Sequence, residues 1–224
     1  TENAHGRVNA SSSSAPHPAM RRKTGAQKTG NTMNKAFFLD RDGVIVEEEH
    51  YLSDPAKVRL CPGCIEAFRK IADAGYRIIV TSNQSGIARG YFTFTDVAAV
   101  ERRICDLLAA GGAPLPLAWY YCPHHTKGTV MEYVRDCNCR KPHPGMLLQA
   151  AEDHDISLAD SVMIGDKLSD LRAAFAAGCP AAALVRTGHG SEQTLEKLDR
   201  DYAVADHILD AVNQLLALRK GVPQ

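Results

Sequence analysis

The chain predicts an α/β fold, a doubly wound parallel sheet with helices on both faces, and three observations carry that expectation. Short apolar runs alternate with amphipathic stretches, the first run ends in charged residues and Gly43, and the intervals between elements are short except from Pro123 to Pro144. Strands separated by helices pair in parallel through right-handed crossovers, and such a sheet needs cover on both faces. With 224 residues and 45% hydrophobic content, the chain can bury one good core. A single domain over residues 34–220 is the expectation.

The elements run in order along the chain. Ala36 to Leu39 suits a buried parallel strand whose carboxyl end opens into a site. Pro62-Gly63 leads into a helix with Ile65, Phe68 and Ile71 on one face, and Gly75 stands where a helix C-terminus favours glycine. Tyr76 to Val80 reads as a strand, Val97, Val100, Ile104 and Leu107 mark a helix face, and Leu117 to Tyr121 is extended again. Beyond these, Met146 to His154 is helical and Ser161 to Ile164 extended. Leu168 to Ala177 is helical with Gly178 after it, Ala181 to Val185 is extended, and Ile208 to Leu218 forms a last amphipathic helix. No internal repeat is present.

Composition excludes several function classes. A formal net charge of +0 gives no electrostatic case for nucleic acid. The longest apolar runs fall far short of the roughly 20 residues a membrane helix needs, so a soluble chain is expected. Seven cysteines is an odd count in a chain too large to depend on a disulfide scaffold, which fits a reducing, cytoplasmic compartment. Residues 1–33 differ from the rest: a serine run at Ser11 to Ser14, the cations Arg21, Arg22, Lys23 and Lys28, and no apolar periodicity. They read as a disordered tail or a remnant foreign to the fold, with Met20 or Met33 as the natural start, and they lack the apolar stretch of about 7 to 15 residues of a secretory peptide.

Asp40 and Asp42 flank Arg41 directly after the first strand, so both side chains can enter one cleft while Gly43 turns the chain away. A second acidic segment, Gly165-Asp166-Lys167-Leu168-Ser169-Asp170, comes after a later strand. Carboxylates brought together from separate strand ends make a hard, oxygen-only environment suited to Mg2+. Alone, Asp-x-Asp-Gly is a common polar turn. A calcium loop is set aside, because Tyr51 stands where an EF-hand needs glutamate. The segment Thr81 to Gly90 offers hydroxyl, amide and backbone donors to phosphate oxygens, or is an ordinary loop. Arg140 and Lys141 precede a proline-stiffened turn, where Lys141 could balance phosphoryl charge and Arg140 grip another part of a substrate, although a solvated basic pair has the same pattern.

Cys122, His124, Cys137 and Cys139 supply three thiolates and an imidazole, a set that tetrahedral Zn2+ accepts and that would pin the loop at about 122–139. Reduced cysteines, or a sterically poor Cys137–Cys139 disulfide, are the bland alternatives. His125 rivals His124; alternate residues of an extended segment point the same way, which favours His124. Cys61 and Cys64 read as incidental cysteines at a helix start rather than as a redox pair.

Strand with Asp-x-Asp, strand with Ser/Thr, loop lysine, strand with Gly-Asp: in this order the chain resembles the haloacid dehalogenase (HAD) superfamily of phosphohydrolases from Lys35 to the last helix. The resemblance implies a Rossmann-like phosphatase with no large cap domain. It implies Asp40 as nucleophile, Asp42 as general acid and base, Ser82 as the hydroxyl that orients the phosphoryl group and Lys141 as charge stabiliser. Asp40, the Asp42 backbone and Asp166 would hold Mg2+, with Asp170 in support. Val44 and Ser82 depart from the family's usual threonines. With the zinc loop, the resemblance narrows to the heptose-bisphosphate phosphatases and the histidinol-phosphate phosphatases, and the runs Ser82 to Gly90 and Cys137 to Met146 look more like the former. Arg41, Glu48, Glu49, His50, Tyr51, Ser82, Asn83, Gln84, Ser85, Arg140, Lys141 and Lys167 would then line the site of a small-molecule sugar bisphosphate, in a monomer. A looser sugar phosphatase is the alternative enzyme. A non-catalytic zinc-stabilised interaction protein would have no chemical need for Asp40, Asp42, Ser82, Lys141 and Asp166 together.

Overall fold

The computed structural model describes residues 33–220; the expected tail, up to Thr32, lies outside the described residues. Five helices and six strands alternate: β1 (Ala36–Leu39), α1 (Cys64–Asp73), β2 (Arg77–Asn83), α2 (Phe94–Ala110), β3 (Ala118–Cys122), α3 (Gly145–His154), β4 (Val162–Gly165), α4 (Leu168–Ala177), β5 (Ala181–Val185), β6 (Ala203–Ala205) and α5 (Ile208–Lys220). The six strands form one parallel sheet in the order β3-β2-β1-β4-β5-β6. The chain reverses its direction of winding between β1 and β4, and in open α/β sheets ligands bind at that switch, outside the carboxyl ends of the strands.

Side-chain alternation along the strands divides the core in two. Phe37, Leu39, Ile78, Val80, Val162 and Ile164 point into the cluster covered by α1, α2 and α5. Ala36, Phe38, Ile79 and Met163 point into the opposite cluster, covered by α3 and α4. Burial on both faces explains why the strands read as continuous apolar runs rather than alternating ones. Gly75 closes α1 at φ +75°: its N–H donates to Ala72 O at 2.8 Å and that of Tyr76 to Ile71 O at 3.1 Å, the paired bonds of a Schellman end.

Two departures from the sequence expectation bear on the site. β2 runs three residues past Val80, because β3 continues the ladder with Ser82 opposite Tyr121 and Asn83 opposite Cys122. Thr81, Ser82 and Asn83 therefore sit on a strand, not in the loop after it. β6 was not foreseen; its three residues pair with Ala183 to Val185 and are too few to show a period. The long intervals, 40–63 and 123–144, carry only a short 3-10 turn each, at Pro55–Lys57 and Met131–Tyr133, so the fold has no cap domain. No helix among the described residues is long and apolar enough to cross a membrane.

Candidate active site

β1 and β4 lie side by side, and the residues just past their carboxyl ends face one another. Asp40 comes directly after β1, its N–H donating to Ile164 O at 3.0 Å, and Asp166 directly after β4. Asp40, Asp166 and Asp170 bring carboxylate oxygens within 4.8 Å of one another. Lys141 reaches in from the loop before α3. Its Nζ lies 2.7 Å from Asp40 Oδ1 and 2.7 Å from Asp170 Oδ1, and donates to Thr81 O at 2.6 Å. Burial alone would strip charge from this lysine, but the carboxylates of Asp170 and Asp40 outweigh it and hold the ammonium firmly protonated.

The oxygens are not equally engaged. Asp170 uses both, Oδ1 on Lys141 and Oδ2 accepting the Lys167 N–H at 3.0 Å. Asp166 accepts the His189 N–H at Oδ2, 2.9 Å away, while its Oδ1 is buried without a partner. Burial, and then the charges of Asp40 and Asp170, push Asp166 up to about 8. A buried unpartnered carboxylate oxygen among like charges calls for a cation as its partner, and these hard oxygens fit Mg2+. Asp170 braces the set through Lys141 and the Lys167 N–H.

Asp42 takes a different direction. Arg41 grips it with Nε and Nη2 at 3.0 and 2.9 Å, and the amide Nε2 of Gln84 donates both to Asp42 at 2.9 Å and to Ser82 Oγ at 2.9 Å. Arg41, expected to face substrate, is 1% exposed. It forms part of the cavity wall, but its guanidinium is turned to Asp42 and to Leu52 O. Asn83 clasps the Lys141 backbone in both directions, at 3.0 and 3.1 Å, which fixes the end of β2 against the lysine.

All of these groups but Asp166 line a cavity of about 480 Å³ that also takes in Glu48, His50, Tyr51, Ser85, Arg140, Lys167 and His189. Glu49, expected with them, is exposed and does not line it. Val44, at a position of usual threonine, packs wholly into the core. Burial and the neighbouring Asp42 raise Glu48 above the usual carboxylate range. A more open apolar hollow of about 630 Å³ beside β5, β6 and α5 offers one carboxylate, Asp201, and no cluster of metal-ligating or nucleophilic groups.

Sequence reasoning missed the turn after β5. Thr187 Oγ1 donates to Gly43 O at 2.5 Å and His189 N–H holds Asp166. A Cβ on Gly43, at φ +79°, would lie 2.6 Å from Asp166 Oδ2 and 2.9 Å from Gly188 Cα. The close approach of the turn to the nucleophile loop depends on Gly43 and Gly188. Gly188, three residues past the end of β5, was the available signal.

Cys122, at the end of β3, and His124, Cys137 and Cys139 converge. Sγ of Cys122 lies 3.6 Å from that of Cys137 and 3.2 Å from that of Cys139. Cys137 and Cys139 sulfurs are 3.3 Å apart, and His124 Nδ1 lies 3.8 Å from Cys122 and 3.2 Å from Cys139. Zinc tetrahedra with Zn–S near 2.3 Å have edges of about 3.5 to 3.8 Å, so the donors are spaced for that ion after a small expansion. The bond from Cys122, foremost, pushes Cys139 down to about 5, a thiolate ready to ligate. His125 turns away to Arg89, and Arg135 Nη2 lies 2.7 Å from His124 Nε2. Arg140 Nη1 donates to His124 O at 3.3 Å, which ties the cluster to the cations of the cavity. Cys61 and Cys64 are buried at the start of α1, and burial pushes the Cys61 thiol up to about 12, which suits inert packing.

Comparison with known proteins agrees with this geometry. The HAD-hydrolase-like family model matches residues 138–211. D-glycero-beta-D-manno-heptose-1,7-bisphosphate 7-phosphatase of Haemophilus influenzae is 39% identical over 188 residues, 84% of this chain and 98% of the relative. D-glycero-alpha-D-manno-heptose-1,7-bisphosphate 7-phosphatase of Photorhabdus laumondii is 41% identical over 162 residues, 72% of this chain and 88% of the relative. Among solved structures, D,D-heptose 1,7-bisphosphate phosphatase from B. bronchiseptica, complexed with magnesium and phosphate, superposes with a TM-score of 0.70 at 32% identity, covering 82% of this chain and 99% of that one.

Proposed function

Because the chain belongs to the HAD-like hydrolases, in the family of the D-glycero-D-manno-heptose-1,7-bisphosphate 7-phosphatases, we propose that it removes the 7-phosphate of that heptose bisphosphate, in the heptose branch of surface-polysaccharide synthesis. The observation that carries the reading is the pairing of two aspartates two residues apart in different settings. Asp40 stands beside Lys141 among carboxylates, and Asp42 is held out of that group by Arg41 and Gln84. Two carboxylates with separate environments are suited to separate roles.

Asp40 attacks phosphorus and forms an aspartyl phosphate, while Asp42 protonates the departing sugar oxygen and then deprotonates the water that hydrolyses the intermediate. Ser82 Oγ orients the phosphoryl group, and Lys141 neutralises charge on its oxygens. Asp40, Asp166 and the Asp42 backbone would hold Mg2+, which when bound screens the carboxylate from the anionic substrate and draws charge from the phosphoryl oxygens. Cys122, His124, Cys137 and Cys139 would hold structural zinc, and so fix Arg140 and Lys141 beside the cavity. We take the working unit to be a monomer, with Asp40, Lys141 and Asp170 brought together within one chain. We place it in the reducing cytoplasm, since all seven cysteines stand free.

Phosphate release from the heptose bisphosphate and from histidinol phosphate tests the assignment. The bisphosphate is expected to give the higher kcat/KM, and the reverse order would defeat the reading.

A further inference from the structure

Gln84 lines the cavity as expected, yet its amide is spent inside the protein. The residue is 3% exposed. Arg41 donates to both oxygens of Asp42, at 3.0 and 2.9 Å, so both act as acceptors there. The Gln84 group 2.9 Å from Asp42 Oδ2 must then be the NH2 and not the carbonyl, because a flipped amide would set two acceptors against each other. The same nitrogen lies 2.9 Å from Ser82 Oγ. An amide NH2 donates twice and accepts nothing, so both of its protons are used and Ser82 Oγ is the acceptor. No N–H of this side chain is left for a phosphate oxygen.

The consequence falls on the serine. A hydroxyl that must accept from Gln84 keeps its own hydrogen for another partner, and among the described residues Ser82 Oγ makes no other bond. Ser82 is buried and lines the cavity beside Asp42, so its hydrogen finds an acceptor in whatever the cavity holds. Gln84 is itself fixed from behind: its N–H donates to Cys122 O at 2.8 Å, at the end of β3, and its carbonyl accepts the Ile87 N–H at 3.2 Å. Two bonds from one trigonal nitrogen diverge at a set angle. The distance between Asp42 Oδ2 and Ser82 Oγ is therefore a property of Gln84.

We propose that Gln84 is a positioning residue which, on the roles proposed above for Asp42 and Ser82, spaces the acid–base carboxylate from the hydroxyl and fixes that hydroxyl as a donor. Ser82 then meets a non-bridging phosphoryl oxygen while Asp42 meets the oxygen that departs, two oxygens on one phosphorus. Gln84 touches neither and acts on turnover through both.

The test is a mutant cycle on the full chain: Gln84→Met, Asp42→Asn, Ser82→Ala and their combinations, each assayed on the heptose bisphosphate and on p-nitrophenyl phosphate. Methionine keeps the length of the side chain and removes the donor. Gln84→Met alone is expected to lower kcat about 10- to 100-fold, the cost of a slightly misplaced reacting group, with KM held within about threefold. With Asp42→Asn and Ser82→Ala already present, the same substitution should cost less than about threefold, because residues that act as one unit do not add. The two Gln84 Nε2 proton resonances should also move separately, one with Asp42→Asn and the other with Ser82→Ala. An unchanged kcat, a loss carried by KM, or a loss of equal size in every background would overturn the proposal. Wild-type kcat in both Asp42→Asn and Ser82→Ala would defeat the roles named above and the proposal with them. Turnover of p-nitrophenyl phosphate without the heptose bisphosphate would count against the sugar assignment alone, since the cycle reads on the aryl ester as well. Should Gln84→Met not fold, the resonances decide: separate shifts support the shared amide, and none removes it.

Discussion

The carboxyl ends of β1 and β4 and the loop between β3 and α3 are both polar, metal-competent regions, yet they are held in opposite ways. Asp40, Asp166 and Asp170 are placed by a parallel register and a helix start, and backbone N–H groups fix Asp166 and Asp170. The loop from Pro123 to Pro144 contains one short 3-10 turn, and its ligand side chains meet one another and, at His124, the Arg135 guanidinium. Where regular structure supplies position, a side chain is free to do chemistry and its loss leaves the fold standing. Where the ligands themselves supply position, their loss takes the local order with it. The two regions meet at Arg140 and Lys141, which come directly after Cys139 and enter the cavity, so disorder in one is felt as misplacement in the other.

The sharpest way to break the comparison is to remove the nucleophile. Asp40→Asn is expected to cut kcat by about 10⁴-fold or more, with the melting temperature and zinc content kept, because no other oxygen in the cavity stands in its place. Residual activity within tenfold of wild type would take the nucleophile role from Asp40. Asp42→Asn should cost about 10² to 10⁴ in kcat, the range of a lost acid–base group, and rapid quench should show aspartyl phosphate persisting where wild type turns it over. A kcat within tenfold of wild type would mean that Asp42 is not the acid–base group.

At the loop the order of events should invert. Cys137→Ser is expected to lose zinc and loosen residues 122–139 to hydrogen exchange, with kcat/KM falling about tenfold through displaced Arg140 and Lys141. The core strands should keep their protection. Full zinc occupancy in that variant, or unfolding of the whole domain, would contradict this division of labour.

The sequence disclosed these regions unequally, for physical reasons. Asp40 and Asp166 were legible because an apolar run buried on both faces has a clear end, and the residues just past that end lie at the rim of the sheet. The metal loop was legible from ligand chemistry alone, since three cysteines and a histidine at those spacings need no periodicity. The direction of the Arg41 guanidinium, onto Asp42, was not legible, because position beside two aspartates says nothing about which way it turns. Thr187, Gly188 and His189 were missed because their contribution is backbone: one N–H on Asp166 and the absence of two Cβ atoms.

The smallest expected effect separates the two regions without a mutation. Asp166 is raised to about 8 by burial and by Asp40 and Asp170, whereas in the unfolded chain an aspartate titrates near ~3.9. Between those values the folded chain binds a proton that the unfolded chain does not, so stability falls as pH rises from 5 to 8. Cys139 works in the other direction: held down to about 5 by Cys122 foremost, with Cys137 and His124, it adds stability as pH rises over the same window. Zinc would enlarge the second contribution, because bound thiolates carry no protons while the unfolded chain's cysteines do, so the comparison is made on zinc-free chain. There the two contributions oppose one another, and the melting temperature should change little from pH 5 to 8. Millimolar Mg2+, which keeps Asp166 ionised in the folded chain, should remove the first contribution and leave a melting temperature that rises with pH, and Asp166→Asn should do the same without Mg2+. Profiles that stay parallel with and without Mg2+ would mean that Asp166 is not a ligand of that ion.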